Sequence, residues 1–190
     1  MNLTITVAII MNLGLYGNNR LIVIQPFYGF PDSSVTLITN ELKKNYKGCV
    51  MVNKTIKLPE SALNGNRTRY RADSLINYLS KIAPKESVIL GLTNKDISFT
   101  KGTYQDWGIF GLGSSYLKSC VVSSYRLKGN TKSDKLFKVV IHELGHTKGL
   151  NHCPDETCIM TDAKGKDRLD HKTDFCTKCK TVLLKHGWIF

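Results

Sequence analysis

The sequence predicts a single α+β domain built on a mixed sheet. Three observations carry this. From residue 20 the apolar pattern alternates β-α-β-α-β, two further short strands follow beyond residue 100, and the last third of the chain reads as helices. The length of 190 residues suits one core rather than two, with residues 1–19 set apart as a leader and 20–190 as the folded domain.

The leader comes first in the chain. Leu3 to Leu15 is an apolar run of signal-peptide length, yet no Lys or Arg precedes it and no small-residue cleavage site follows, which makes it a weak export signal or a non-native segment. Its alternation of Leu3, Ile5, Val7 and Ile9 with threonines would equally suit a short strand. Arg20 to Phe27 (RLIVIQPF) is β-branched and stopped by Pro26 and a turn-rich stretch, the pattern of a buried strand. Asp32 or Ser33 is placed to cap a helix over Val35, Leu37, Ile38, Leu42 and Tyr46. A second strand is expected over Cys49 to Leu58, then an exposed connection from Pro59 to Arg69. A helix through Leu75, Ile76, Leu79 and Ile82 follows, stopped by Pro84. Ser87 to Leu92 is the third strand.

Between residues 100 and 130, Gly102, Gly108, Gly111 and Gly113 punctuate short apolar pieces, which reads either as bulges and close backbone approach or as a plain irregular hairpin. Cys120 to Leu127 (CVVSSYRL) is a further strand. Thr131 with Asp134 three residues on starts a helix over Lys132 to Thr147, with Leu136, Val140 and Leu144 on one face.

That helix carries the chemistry. His142, Glu143 and His146 form H-E-x-x-H, in which two imidazoles four residues apart stack on one helix face and reach one ion, while Glu143 is rotated toward a bound water. Gly149 and His152 extend the motif to H-E-x-x-H-x-x-G-x-x-H, so three of the five histidines fall within eleven residues. A catalytic zinc takes three protein ligands and keeps one position open. His152 supplies the third ligand if the chain turns sharply, and Gly149 permits that turn because glycine adopts positive φ without a Cβ penalty.

Four of the six cysteines, Cys153, Cys158, Cys176 and Cys179, form two close pairs within 27 residues. In a reducing compartment they suit a closed, structural four-thiolate zinc; in an exported chain the same pairs would suit two disulfides. Cys49 and Cys120 are expected to be buried thiols.

The long histidine motif, followed by C-x4-C-x-M and C-x-x-C, resembles the archaemetzincin family of the metzincin zinc metallopeptidases. DWGIFGLG (Asp106 to Gly113) and VVSSYRL (Val121 to Leu127) belong to the same resemblance, which is specific over the C-terminal half and loose over the N-terminal half. It implies a zincin-like domain with a small zinc-stapled helical part at the C-terminus and two zinc ions per chain. His142, His146 and His152 would hold the catalytic zinc, and Cys153, Cys158, Cys176 and Cys179 the structural one. Met160 would sit in the Met-turn beneath the imidazoles, and GIFGLG would be the sheet edge along which a peptide or protein substrate lies antiparallel, its glycines making room for a second backbone.

The reaction expected is hydrolysis of peptide bonds by a metalloprotease, with Glu143 as general base. The spacing does not assign the oxyanion-stabilising group: Tyr125 and Arg126 are candidates, while a strand tyrosine and a surface arginine are the more ordinary readings of the two. A non-catalytic zinc protein of the same fold that only binds peptides shares every residue named, and the net charge of +12, from 27 basic and 15 acidic residues, raises a further rival: a non-catalytic zinc protein holding nucleic acid through Lys43, Lys44, Lys47, Lys54, Lys57, Arg67, Arg69 and Arg71. The basic residues are dispersed and leave the histidines unexplained, so no specific nucleic-acid partner is expected. A run of about 20 apolar residues is absent, so no spanning helix is expected. A cytoplasmic monomer is the expectation, with export through the weak leader as the alternative.

Overall fold

The structure, a computed structural model, describes residues 21–163 and 169–190; the leader expected over 1–19 lies outside the described residues. Strand β1 (Leu21–Pro26) leads into helix α1 (Asp32–Asn45) and strand β2 (Cys49–Val52). Strand β3 (Tyr70–Arg71), helix α2 (Ala72–Ile82) and strand β4 (Ser87–Thr93) follow. Then come β5 (Ile97–Lys101), β6 (Tyr104–Ile109), β7 (Gly111–Ser114) and β8 (Ser119–Ser123), and finally helices α3 (Lys132–Thr147) and α4 (Thr177–Lys185).

The main sheet has the order β2-β1-β4-β8-β7. Its first four strands are parallel, and β7 closes one edge antiparallel to β8, with Gly113 opposite Cys120. Strand β4 is buried along its whole length, as a parallel strand covered on both faces must be. Alternation sorts the side chains. Ile22, Ile24, Leu90, Leu92 and Val122 pack under α1 and α3, while Val23, Ile89 and Val121 face α2 through Leu75, Ile76 and Leu79.

Several elements depart from expectation for identifiable reasons. Strand β2 stops at Val52 rather than Leu58, because the buried Gln25 takes over its neighbours: Gln25 Nε2 donates to the Lys54 carbonyl (2.9 Å), and Asn53 Nδ2 donates to Gln25 Oε1 (3.0 Å). Within Pro59 to Arg69 the connection is not wholly exposed. Glu60–Ala62 forms a 3-10 turn that buries Ala62. Both expected features meet in residues 97–109: β5 and β6 form a hairpin with a register shift between Phe99 and Lys101, Gly108 lies in close approach to another segment, and the hairpin belongs to a separate three-stranded sheet, β3-β5-β6.

The strand expected over Cys120 to Leu127 ends at Ser123, whose hydroxyl donates to the Lys95 carbonyl (2.6 Å) and accepts from the Tyr125 amide (3.1 Å). Tyr125 and Arg126 therefore stand in a turn, not on a strand. Neither expected helix cap forms. Pro31 occupies the N-cap of α1, and the Thr131 hydroxyl, at the N-cap of α3, donates instead to Asp170 Oδ1 (3.1 Å). Cys120 is buried as expected, but Cys49 is exposed because it opens the short edge strand β2. The C-terminal tail returns to α1, where Trp188 packs on Tyr46 with ring centroids 5.7 Å apart and the Ile189 amide donates to the Asn45 carbonyl (2.8 Å).

Candidate metal centres and cleft

Helix α3 buries Leu136, Val139, Val140 and Leu144 against the sheet, which leaves His142 and His146 on the stripe facing a cleft beside β7. The helix ends at Thr147. Gly149 then adopts φ +85°, with its amide bonded to the His146 carbonyl (3.0 Å) and the Leu150 amide to the Gly145 carbonyl (3.2 Å). This one turn does two things: it swings His152 back over the helix, and it aims the Leu150 carbonyl at His146 Nδ1 (2.7 Å).

The three imidazoles converge. Ring centroids lie 4.7 Å (His142 to His146), 5.5 Å (His142 to His152) and 4.9 Å (His146 to His152) apart, and one ring nitrogen from each lies within 4.8 Å of the others. His142 Nδ1 is 2.6 Å from the Ile159 carbonyl. A carbonyl can only accept, so both helix histidines carry their proton on Nδ1 and present Nε2 lone pairs, 3.1 Å apart, to each other. Two facing lone pairs repel unless a cation lies between them, and carbonyl-oriented imidazoles are the usual support of a zinc ligand. Burial and the neighbouring imidazole push His142 down to about 3, and burial lowers His146 as well, so both rings are neutral, as ligation requires. The donor set fits zinc.

Glu143 is buried at 6% exposure and stands apart from the three ligands. Its carboxyl lies against Gly111, where an added Cβ would come within 2.6 Å of Cγ and 2.7 Å of Oε1. A Cβ on Gly113 would meet the Glu143 carbonyl oxygen at 2.5 Å and His146 Cβ at 2.9 Å, and one on Gly108 would strike the Arg126 guanidinium at 2.1 Å. The glycines of DWGIFGLG thus admit helix α3 and Arg126. This corrects the expectation that they make room for a substrate backbone. Burial raises Glu143 to about 8, with Lys172 pulling in the opposite direction.

Cys153, Cys158, Cys176 and Cys179 gather with all four sulfurs within 4.8 Å and no sulfur–sulfur bond among them. The Cys153 and Cys176 sulfurs are 3.7 Å apart, close to the ~3.8 Å that a tetrahedral ion with Zn–S bonds of about 2.3 Å imposes, and far from a disulfide at about 2.05 Å. The Cys153 amide donates to the Met160 carbonyl (2.9 Å), so the cysteine site and the Met160 turn are tied together beside His152. Met160 is fully buried, and its sulfur lies 2.6 Å from where a Cβ on Gly145 would stand, so the thioether packs on the helix turn between the two histidines.

The cleft, about 1180 Å³, runs between Trp107–Gly113 and helix α3, and Tyr125, Arg126, Lys128 and Lys172 also line it. Of the sequence-nominated oxyanion candidates, Arg126 is committed to Asp96 through Nε (2.7 Å) and Nη2 (2.8 Å), while Tyr125 is exposed. Arg69 joins the same carboxylate (2.8 Å), and Arg71 pairs with Asp73 (3.0 Å), which takes both out of a free basic face. The Asp96 hub was invisible in the sequence, because its partners lie 27 and 30 residues away with no local pattern linking them.

The chain matches the model of peptidase family M54 over residues 31–185. It is 30% identical over 176 residues to an archaemetzincin of Haloquadratum walsbyi, covering 86% of this chain and 99% of the relative. Among solved structures it is similar to the archaemetzincin of Methanopyrus kandleri (TM-score 0.74, 30% identity, 91% of this chain and 98% of that one). The archaemetzincin of Archaeoglobus fulgidus, complexed with malonate, also matches (TM-score 0.73, 27% identity, 85% and 99% coverage).

Proposed function

This chain belongs to peptidase family M54, the archaemetzincins, and is a zinc metallopeptidase of zincin-like fold acting on peptides or proteins; from that premise we propose how its residues divide the work. His142, His146 and His152 hold the catalytic zinc; Cys153, Cys158, Cys176 and Cys179 hold a second, structural zinc. When bound, the catalytic ion supplies a Lewis acid for the scissile carbonyl and an acidified water. Glu143 takes the proton from the attacking water and delivers it to the departing amine. Its position beside the histidine cluster but outside it is what supports this role. A dication nearby favours the carboxylate form that burial alone disfavours.

Met160 supports the helix between the histidines. The outer edge of β7 has no strand partner among the described residues, which suits an extended substrate laid antiparallel along it. Every proposed ligand comes from one chain, so a monomer suffices, and four thiolates on a metal favour a reducing, cytoplasmic setting. No helix among the described residues is long and apolar enough to cross a membrane.

The observation that carries the assignment is the convergence of three imidazoles beside a buried glutamate that does not join them. The test is Glu143→Gln. Peptide hydrolysis should fall by at least about 10²–10⁴-fold, the usual worth of a general base, while two zinc ions per chain remain. Unchanged hydrolysis would refute Glu143 as the base.

A further inference from the structure

Lys172 is a buried cation that the proposed reaction does not use. It is 3% exposed and follows the 3-10 turn Leu169–His171. The next residues run beside the Met160 turn: the Thr173 amide donates to the Thr157 carbonyl (3.2 Å), and the Ile159 amide to the Asp174 carbonyl (2.9 Å). From this anchored backbone the Lys172 side chain reaches across and donates from Nζ to the Ile159 carbonyl (3.2 Å) and the Thr161 carbonyl. The Ile159 oxygen is the same one that receives His142 Nδ1–H at 2.6 Å. Thus one carbonyl, between the structural ligand Cys158 and Met160, is held from one side by an ammonium and orients a zinc-binding imidazole on the other.

Two effects of Lys172 on a bound dication oppose each other. Its positive charge repels the ion, softened by the negative groups around it, Cys158, Glu143 and Asp162. Its hydrogen bonds immobilise the carbonyl that fixes the His142 ring and tautomer, and outer supports of this kind change metal affinity by about 10–100-fold. A buried ammonium is costly to keep unless its hydrogen bonds matter. We propose that Lys172 is a positioning residue for the histidine site, and that its tether to the Ile159 and Thr161 carbonyls outweighs its like-charge repulsion of the metal. This rests on the histidine triad being the catalytic metal site.

The test uses the full-length chain. Zinc is titrated in competition with a chelator in wild type, Lys172→Met and Lys172→Arg, and thiolate charge-transfer absorption of the cobalt(II)-substituted protein reports the cysteine site separately. Lys172→Met should weaken zinc at the histidine site by about 10–100-fold with the cysteine site still filled, and Lys172→Arg, which keeps a long cationic donor, should restore most of the affinity. Histidine-site affinity that is unchanged or tighter in Lys172→Met overturns the proposal, because repulsion would then dominate. So does a parallel loss at both sites, or a failure of Lys172→Met to fold joined to a Lys172→Arg variant that folds without recovering affinity, since either points to general structure. A wild-type chain that takes no metal at the histidines fails the site reading itself, a result distinct from these.

Discussion

Gly111 and Gly113 both lie under helix α3, but an alanine at each would meet different obstacles. At Gly111 the added methyl stands 2.6–2.9 Å from Cγ, Oε1 and Cδ of Glu143, so the carboxylate must retreat by about 0.7 Å to an ordinary 3.4 Å contact. That is the far end of a flexible side chain, and it can move. Loss of about 0.4–1 kcal/mol of unfolded-chain entropy offsets part of the crowding, so the melting temperature should change by only a few degrees. The displaced group is the proposed base, and misplacement on the order of 1 Å costs up to about 10²-fold in rate. Gly111→Ala should therefore lower kcat by about 10–100-fold with zinc content and KM nearly constant.

At Gly113 the obstacle is the Glu143 carbonyl oxygen at 2.5 Å, which is backbone and can yield only if α3 separates from β7. Overpacking of this kind costs about 1–3 kcal/mol, or roughly 2–12 °C in a chain of this size. The assay pairs thermal melts and metal analysis with steady-state hydrolysis of a fluorogenic peptide library. A folded, zinc-loaded Gly111→Ala variant with wild-type kcat would show that Glu143 is not acting where its carboxylate stands, and the base assignment would fall with it.

Cys158→Ser should remove the structural zinc and loosen the turn that carries Met160 and the Ile159 carbonyl; metal analysis should show at most one zinc per chain and a lowered melting temperature, and two retained zincs would contradict the four-thiolate site. Asp96→Asn removes the carboxylate shared by Arg126 and Arg69, taking the ion pair from the partly buried Arg126 and leaving Arg69 with Asp106 alone (3.4 Å). With the arginine side chains about one-third exposed (32%), solvent screens part of the loss, and about 1–3 kcal/mol of destabilisation is expected in denaturant unfolding; an unchanged midpoint would show the hub to be ornamental.

Much of this protein is legible locally. Helix α3 runs from Lys132 to Thr147 at the bounds its pattern predicts, because apolar spacing, Gly149 and flanking turns are short-range signals. The same holds for the ligands: imidazoles four residues apart share a helix face wherever that helix lies, and the glycine turn that returns His152 is encoded three residues earlier. Strand ends were less legible. Strand β2 stops where Gln25, from a neighbouring strand, takes its hydrogen-bonding partners, and β8 stops where a serine hydroxyl reaches Lys95.

What only the tertiary structure decided concerns contacts between segments distant in sequence. The glycines of the edge strand read equally well as room for a ligand or room for a helix, and only the placement of α3 shows the helix to be the occupant. Disulfide and metal readings of the cysteines are equivalent in spacing, and they separate only when four sulfurs gather without bonding. Lys172 looks like one more solvated lysine until the chain folds back and leaves its ammonium among carbonyls of the Met160 turn. Helical periodicity and turn chemistry act over a few residues, so the sequence by itself determined helix α3 and the spacing that brings its histidines together; burial and charge compensation depend on which distant segments meet, and these arose only in the folded chain.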